Sequence, residues 1–488
     1  MDNHGHTDSE ADRRLRNMIS RRALLVGAPA VLLNAMFPLW GSGYTGSQIK
    51  VLYFGGVPEA GVMESSEETF ERESGISVDV DPQDYSDIAQ LIERGWGQTP
   101  NQYDVLWVDD VWLFDLARRG LLERLNPMAL RDMPDFNEAY VLKVRNAEAL
   151  LNRLSASATQ QDCSLKERGE CDLWMIPQRV DVQVLFYNRM IFEDPGIRAQ
   201  YHKRTGNDLR VPITWSEYEL VVKNLHGLRA PFGSVVGCAE TLGVPHYSVD
   251  FFVSRFWSML DPSLAAGDPD LFAWREGRFE PVFYQAAGIE AIEHFRRLKP
   301  YWADGSDSAD HARTISRFAR GDVALCPQWY TFCADSELSH SLGDAVGIAL
   351  LPGTQHGDFI HRTPSIGGGG LVIPKNARDI EKSWAYIRYV TGESFCRYAA
   401  VRGSVVARHE VHHDPATKSR FPAVDVYLGS LQLALKRPRL RNYTHIETLL
   451  GTSFNAAIVN EENKPAAAYL HDAANQAILA MQPVSESL

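Results

Sequence analysis

Residues 103–125, YDVLWVDDVWLFDLARRGLLERL, narrow the choice of fold more than any other stretch. Residues 105–108 are a short apolar run of the kind a strand buried on both faces requires, and it stops at two carboxylates, Asp109 and Asp110. Leu113, Leu116, Ala117, Leu121 and Leu122 then recur at helical spacing. The aspartates and Trp112 therefore lie where a strand ends and a helix begins, the place where open α/β sheets bind ligands. A plainer role is also open at this point, with Asp110 capping the helix by accepting its orphan amide protons and Trp112 packed as core.

The chain around this stretch has the same character. Residues 49–54 read as a strand ending in Gly55-Gly56, residues 64–74 as a helix, 76–80 as a strand and 87–94 as a short helix. Such alternation favours a parallel sheet covered by helices on both faces. Residues 173–188, LWMIPQRVDVQVLFYN, have a period of two, with Val180, Val182, Val184 and Phe186 on one face and Arg179, Asp181, Gln183 and Leu185 on the other. A charged strand face ordinarily meets solvent, and that reading stands until something places the strand beside a cleft.

With 488 residues, 45% of them hydrophobic and 23% charged, the chain can bury more than one core, and two or three domains are expected. A formal net charge of -13 argues against nucleic acid and anionic membranes, which select for basic patches. Arg13, Arg14 and Arg16 lead into Ser20-Arg21-Arg22-Ala23-Leu24-Leu25 and an apolar run to about Trp40, the pattern of a twin-arginine export signal. The run is just long enough to span a bilayer, so an uncleaved anchor is the competing reading. Six cysteines allow fifteen pairings. Cys163 and Cys171 flank a short polar loop and are the favoured disulfide, whereas Cys326 and Cys333 read at least as well as buried thiols.

A set of short landmarks then follows one order along the chain. They are Phe54-Gly55-Gly56, the 104–125 segment, Ile176-Pro177 leading to Phe186-Tyr187-Asn188, and Pro212-Ile213-Thr214-Trp215-Ser216-Glu217. Next come Phe318-Ala319-Arg320-Gly321-Asp322-Val323-Ala324-Leu325 before Gln328-Trp329, then Leu351-Pro352-Gly353 and residues 367–375. From about residue 49 to 482 this order resembles the extracellular solute-binding proteins, family 1, the sugar-binding receptors of ABC importers. The resemblance implies an α/β fold of two lobes, each a mixed, largely parallel sheet flanked by helices, joined by a hinge of crossing segments that closes over a ligand. Crossings are expected near residues 176–181, 350–354 and 402–406. The expected division is 1–47 as export signal, 48–177 plus 354–402 as the N-terminal lobe, and 178–353 plus 403–482 as the C-terminal lobe. It further implies a monomer without cofactor that hands a mono- or oligosaccharide to a membrane permease, not an enzyme.

Sugar hydroxyls are read by planar polar groups, and the apolar face of the ring lies on an aromatic side chain. Trp329 is the first candidate, after a short strand and at the start of a helix, with a core role as the alternative. Asp109, Asp110 and Trp112 follow. The first crossing brings in Arg179 and Asp181, and the third brings in Arg402. Gly55, Gly56, Gly368 and Gly369 are candidates for close backbone approach, although a bulge or tight turn explains them almost as well. In residues 243–257, GVPHYSVDFFVSRFW, the candidates are His246, Tyr247 and Asp250, while Phe251, Phe252 and Trp257 have core spacing.

One motif points elsewhere. His409-Glu410-Val411-His412-His413 is a literal H-E-x-x-H, so a secreted zinc metallopeptidase is the rival class, and a receptor for a non-sugar solute is a further alternative. Asp414-Pro415 directly after the second histidine, and Gly403 shortly before the first, leave too little helix to hold two metal ligands rigidly.

Overall fold

One mixed sheet of nine strands organises the molecule. Its strands are β1 (Ile49–Phe54), β2 (Val78–Gln83), β3 (Val105–Asp109), β4 (Ile176–Asn188), β5 (Val236–Cys238), β6 (Val323–Trp329), β7 (Val346–Leu350), β8 (Ser365–Val372) and β9 (Leu435–Lys436). The order is β2-β1-β3-β8-β4-β6-β5, with β7 paired to β4 and β9 to β8. The computed structural model describes residues 48–55, 57–93, 103–133, 135, 150–152, 171–261, 271–275, 278–421, 423–437, 440, 442–460 and 464–481. The export signal, Gly56 and Cys163 lie outside these residues.

The long strand β4 carries the architecture. Residues 176–182 pair antiparallel with β8, and residues 183–188 pair antiparallel with β6 on one edge and β7 on the other. The strand therefore changes neighbours between Val182 and Gln183. Beside it, Val180 donates its amide to the Val405 carbonyl at 2.8 Å, and Ala407 donates to the Gln178 carbonyl at 3.1 Å. Pairing is parallel among β2, β1 and β3, between β5 and β6 and between β8 and β9, and antiparallel around β4 and between β3 and β8.

The polar face of β4 does not meet solvent. Every residue from Ile176 to Phe186 is buried, including Arg179, Asp181 and Gln183. The two-residue period is real, but both faces are covered, so its polar face needs internal partners. Gln183 shows this, donating Nε2 to the Asp250 carbonyl at 3.0 Å.

Local signals act as the sequence implies. β3 is buried throughout, and its apolar run ends at α2 (Asp110–Arg118), whose Leu113, Leu116 and Ala117 turn inward. The cap of α2 is Asp109 rather than Asp110, for the Asp109 carboxylate accepts the Val111 amide at 3.3 Å. Four more helices bear on the site: α1 (Tyr85–Glu93) before it, and α3 (Tyr247–Met259), α4 (His311–Ala319) and α5 (Tyr443–Val459) after. Phe251, Phe252 and Trp257 on α3 are core residues. Cys238, Cys326, Cys333 and Cys396 are free thiols. Among the described residues no helix is long and apolar enough to cross a membrane.

The H-E-x-x-H stretch has no helix capable of the zinc role. Residues Glu410–His413 form one 3-10 turn, stopped by Asp414, which caps the next short helix. Glu410 accepts from Arg408 Nε at 2.7 Å, and buried His412 bonds the Val406 carbonyl through Nε2 at 2.7 Å. Among the described residues no group of three or more His, Cys, Asp or Glu side chains is arranged to hold a metal ion.

Candidate functional site

A cavity of about 440 Å³ opens at the C-terminal ends of β1, β3 and β6, beside Arg179 and Asp181 of β4 and Gly367 and Gly368 of β8, with walls completed by α1, α3, α4 and α5. That volume lies in the range of small-molecule sites. Of the residues singled out above, Gly55, Asp109, Arg179, Asp181, His246, Tyr247, Asp250, Trp329 and Gly368 line it. Asp110 and Trp112 lie behind the wall, both fully buried, with Trp112 packed on Tyr85 at 4.7 Å between ring centroids. Gly369 sits behind the wall as well, next to the Trp107 indole. Arg402 is elsewhere, its guanidinium 3.7 Å over the Tyr398 ring and its Nη1 bonded to the Tyr398 carbonyl at 3.0 Å. The local sequence therefore located a neighbourhood, and the helix turn and strand pleat decide which side chains in it reach the cavity.

The aromatic side of the cavity is built from distant elements. Trp329, at the end of β6, is 7% exposed and meets His311 of α4 edge-on at 6.3 Å. Its indole fits because residue 367 is glycine, where a Cβ would stand 2.8 Å from two ring carbons. Phe54 stacks on Trp107 at 5.1 Å, and Tyr85 closes edge-on against Phe54 at 5.8 Å. Phe54, Tyr85, Trp107, His311 and Phe332 line the cavity and escaped the sequence reading. Phe54 and Trp107 lie in apolar runs that signal core, Tyr85 and His311 lie in polar stretches that signal a helix start at the surface, and only the fold turns these rings toward a void.

Two buried arginines govern the electrostatics. Arg437, directly after β9, donates Nη2 to both oxygens of Asp109 at 2.6 and 2.7 Å. It also lies 3.5 Å from oxygens of Asp110, Asp250 and Glu447. Tyr85 adds its hydroxyl to Asp109 at 2.9 Å. Burial pushes the Asp109 carboxyl upward, but the Arg437 charge and the hydrogen bonds it receives outweigh burial and hold it below the usual range. Arg179 lies 3.0 Å from Asp181 and 3.2 Å from Glu59, with its guanidinium 5.5 Å over the Phe54 ring. Nothing in the sequence marks Arg437 among its basic neighbours, and its partner Asp109 is 328 residues away.

Asp181 and Asp250 are each pushed up to about 7, mainly by burial, with Arg179 and Arg437 opposing and Glu59 and Glu447 adding to the rise. A carboxyl raised from 3.8 lends stability that is complete below about pH 4 and is lost as pH climbs through 7. Asp250→Asn is therefore expected to gain stability over the parent at pH 8, with a clearly smaller gain at pH 5. Urea unfolding of the ligand-free protein at both values checks this, and equal gains at the two would sink it.

The overall match to known proteins bears on these observations. Against the curated proteins no sequence matches. Residues 57–394 match the model of the bacterial extracellular solute-binding proteins. The chain belongs to that family. Solved structures agree on the fold. The maltose-bound MalE3 of T. maritima is 19% identical with a TM-score of 0.69, covering 88% of this chain and 99% of that one. A ribitol complex of a solute-binding protein from Agrobacterium radiobacter K84 is 17% identical, TM-score 0.70, covering 89% and 98%. UgpB of Mycobacterium tuberculosis, with glycerophosphocholine, is 18% identical, TM-score 0.65, covering 89% and 98%. This solute-binding protein thus has the α/β fold of those structures, and the zinc-peptidase reading falls with the geometry of its motif.

Proposed function

We propose that this solute-binding protein is an exported receptor that captures a sugar or polyol in the 440 Å³ cavity and delivers it to an ABC importer permease. The observation that carries the reading is the lining itself. Aromatic faces of Trp329, Phe54, Tyr85 and Trp107 stand beside Asp109, Asp181, Asp250, Arg179 and Arg437, the pairing of flat apolar surface with planar hydrogen-bonding groups that a hydroxylated ring needs. The ligands of two of the structural relatives, maltose and ribitol, are of the same class, while that of UgpB is glycerophosphocholine.

The lobes in this proposal are 48–177 plus 354–402 and 178–353 plus 403–482, with Asp109 and Tyr85 on the first and Trp329, Asp250, Arg437 and Glu447 on the second. A ligand touching both lobes shifts the protein toward closure by its differential affinity for the closed form. Residues 1–47 act as a twin-arginine export signal, the protein works as a periplasmic monomer, and the permease reads the closed form. The test is native mass spectrometry of gently purified protein, with tryptophan fluorescence against a sugar and polyol panel. Retention or binding of no hydroxylated ligand would overturn the reading. Trp329→Ala is expected to weaken binding at least tenfold by calorimetry, about 1.4 kcal/mol or more, while the far-ultraviolet dichroism stays unchanged. Unchanged affinity would remove Trp329 from the site.

A further inference from the structure

The cavity has more buried carboxylates than cations to meet them. Around Arg437 stand Asp109, Asp110, Asp250 and Glu447, within 2.6 to 3.5 Å of its Nη atoms, so one guanidinium faces four carboxyl groups. All five side chains are nine-tenths buried by accessible surface apart from that of Asp250, which is 12% exposed. Around Arg179 the ratio is two to one, with Glu59 and Asp181. His246 Nδ1, 3.4 Å from Glu447 Oε2, adds a positive charge only when protonated. The remaining charged groups on the cavity lining are Asp84, Asp310 and Arg313, where Arg313 lies 3.8 Å from Asp310 and most of its side chain is in solvent.

Two consequences follow from this imbalance. Both buried arginines are outnumbered by the carboxylates that hold them, Arg437 through Nη2 on both oxygens of Asp109 and Arg179 between Asp181 and Glu59; each keeps an Nε without a hydrogen-bond partner, so it is the charge balance that disfavours an anion. Glu447 Oε2, on a residue 1% exposed and lining the cavity, makes no hydrogen bond, and neither does either oxygen of Glu59. A buried carboxylate without a full partner is costly, and a cation brought in by a ligand removes that cost, whereas an anion adds to it. The rise of Asp250, to which burial, Glu447 and Asp109 contribute, has the same origin. Tyr85 stands beside this pole with its ring 5.5 Å from that of His246, an aromatic surface of the sort that favours ammonium groups.

We infer that the ligand carries a protonated or quaternary amine, taken up at the Asp250–Glu447 end of the cavity with its hydroxylated part toward Trp329. The inference deepens the sugar-or-polyol reading and rests on it for the hydroxylated part. Acidic sugars are excluded by the same electrostatics.

The experiment is calorimetry on the full chain with matched probes: glucose against glucosamine, sorbitol against N-methylglucamine, glucuronate, and choline as an amine without a sugar. At least one amine-bearing probe is expected to bind ten or more times more tightly than its neutral match, with glucuronate not binding. Glu447→Gln is expected to bring that ratio to about one, and Asp250→Asn, which preserves shape, to lower it likewise should the first variant fail to fold. Neutral probes equal to or tighter than their amines, glucuronate binding, or no binding of any amine overturns the inference, and neutral binding leaves the sugar reading standing. Choline bound without any sugar or polyol supports the amine and defeats the sugar reading instead.

Discussion

Arg437→Ala is expected to destabilise the protein by about 3–5 kcal/mol, the cost of removing one partner from a buried ion cluster. The guanidinium bonds both oxygens of Asp109 and stands 3.5 Å from Asp110, Asp250 and Glu447. Without it, carboxylates on β3, α3 and α5 face one another in a medium where repulsion is strong. Those groups escape by taking up protons, so the loss should shrink as pH falls from 8 to 5.5. Urea unfolding at the two values measures it. Arg437→Lys should fall between, because one ammonium nitrogen cannot stand where Nη2 meets Asp109 and also where Nη1 faces Asp250 and Glu447. An equal loss at both pH values would mean that lost packing, not lost charge, sets the cost, and the electrostatic account of the site would fail with it.

That cluster also shows where sequence reading stops. The strand-to-helix junction at Asp109 was legible because an apolar run ended by carboxylates and followed by helical spacing is local information, and β3 and α2 lie where that pattern puts them. The strand and helix alternation from residue 49 was legible for the same reason, whereas the two-lobed architecture was only what the resemblance carried by the order of landmarks implied. Arg437 was illegible. It follows a two-residue strand, β9, whose place is set only by its pairing with Ser365 and Ile366 of β8. In the sequence it sits among Lys436, Arg439 and Arg441, a run that reads as a solvated surface. Glu447 is one acidic residue on a long helix, and only the packing of α5 turns it inward.

β4 shows a different limit. Its two-residue period is legible, but period alone does not say whether the polar face meets water or a cavity; here Gln183 meets Asp250 of α3, and Arg179 and Asp181 line the cavity. His409 and His413 gave a motif without a structure. Their ring centroids are 4.9 Å apart, yet they flank a single 3-10 turn with no rigid helix beneath it. A five-residue pattern with three specified positions recurs by chance more often than the scaffold that would give it chemistry.

Gly369→Ala is the second large effect expected, a loss of about 3 kcal/mol or more, at the upper end of what overpacking costs. In β8, Gly369 is flanked by Asp109 of β3 and Arg179 of β4, so it joins the two strands that carry the buried charges. A Cβ there would lie 2.2 Å from the Val108 carbonyl oxygen and 2.8 Å from the Trp107 indole. A side chain can turn away from such a contact, but a backbone carbonyl in a paired strand moves only by opening the sheet. Gly61→Ala is the control, because a Cβ at residue 61 meets nothing within 4 Å and the residue lies in a helix, where alanine is favoured by roughly 0.5–1 kcal/mol. Denaturant unfolding and ligand affinity, measured together, separate two explanations of the glycine run. If Gly369 is needed so that Trp107 and β3 can pack, stability falls in the ligand-free protein before any ligand is added. If it served the close approach of backbone to ligand, affinity would fall while ligand-free stability stayed within about 1 kcal/mol of the parent, and the packing account would be lost. Val108 and Trp107 occupy the space a ligand would need, so the first outcome is the one the geometry requires.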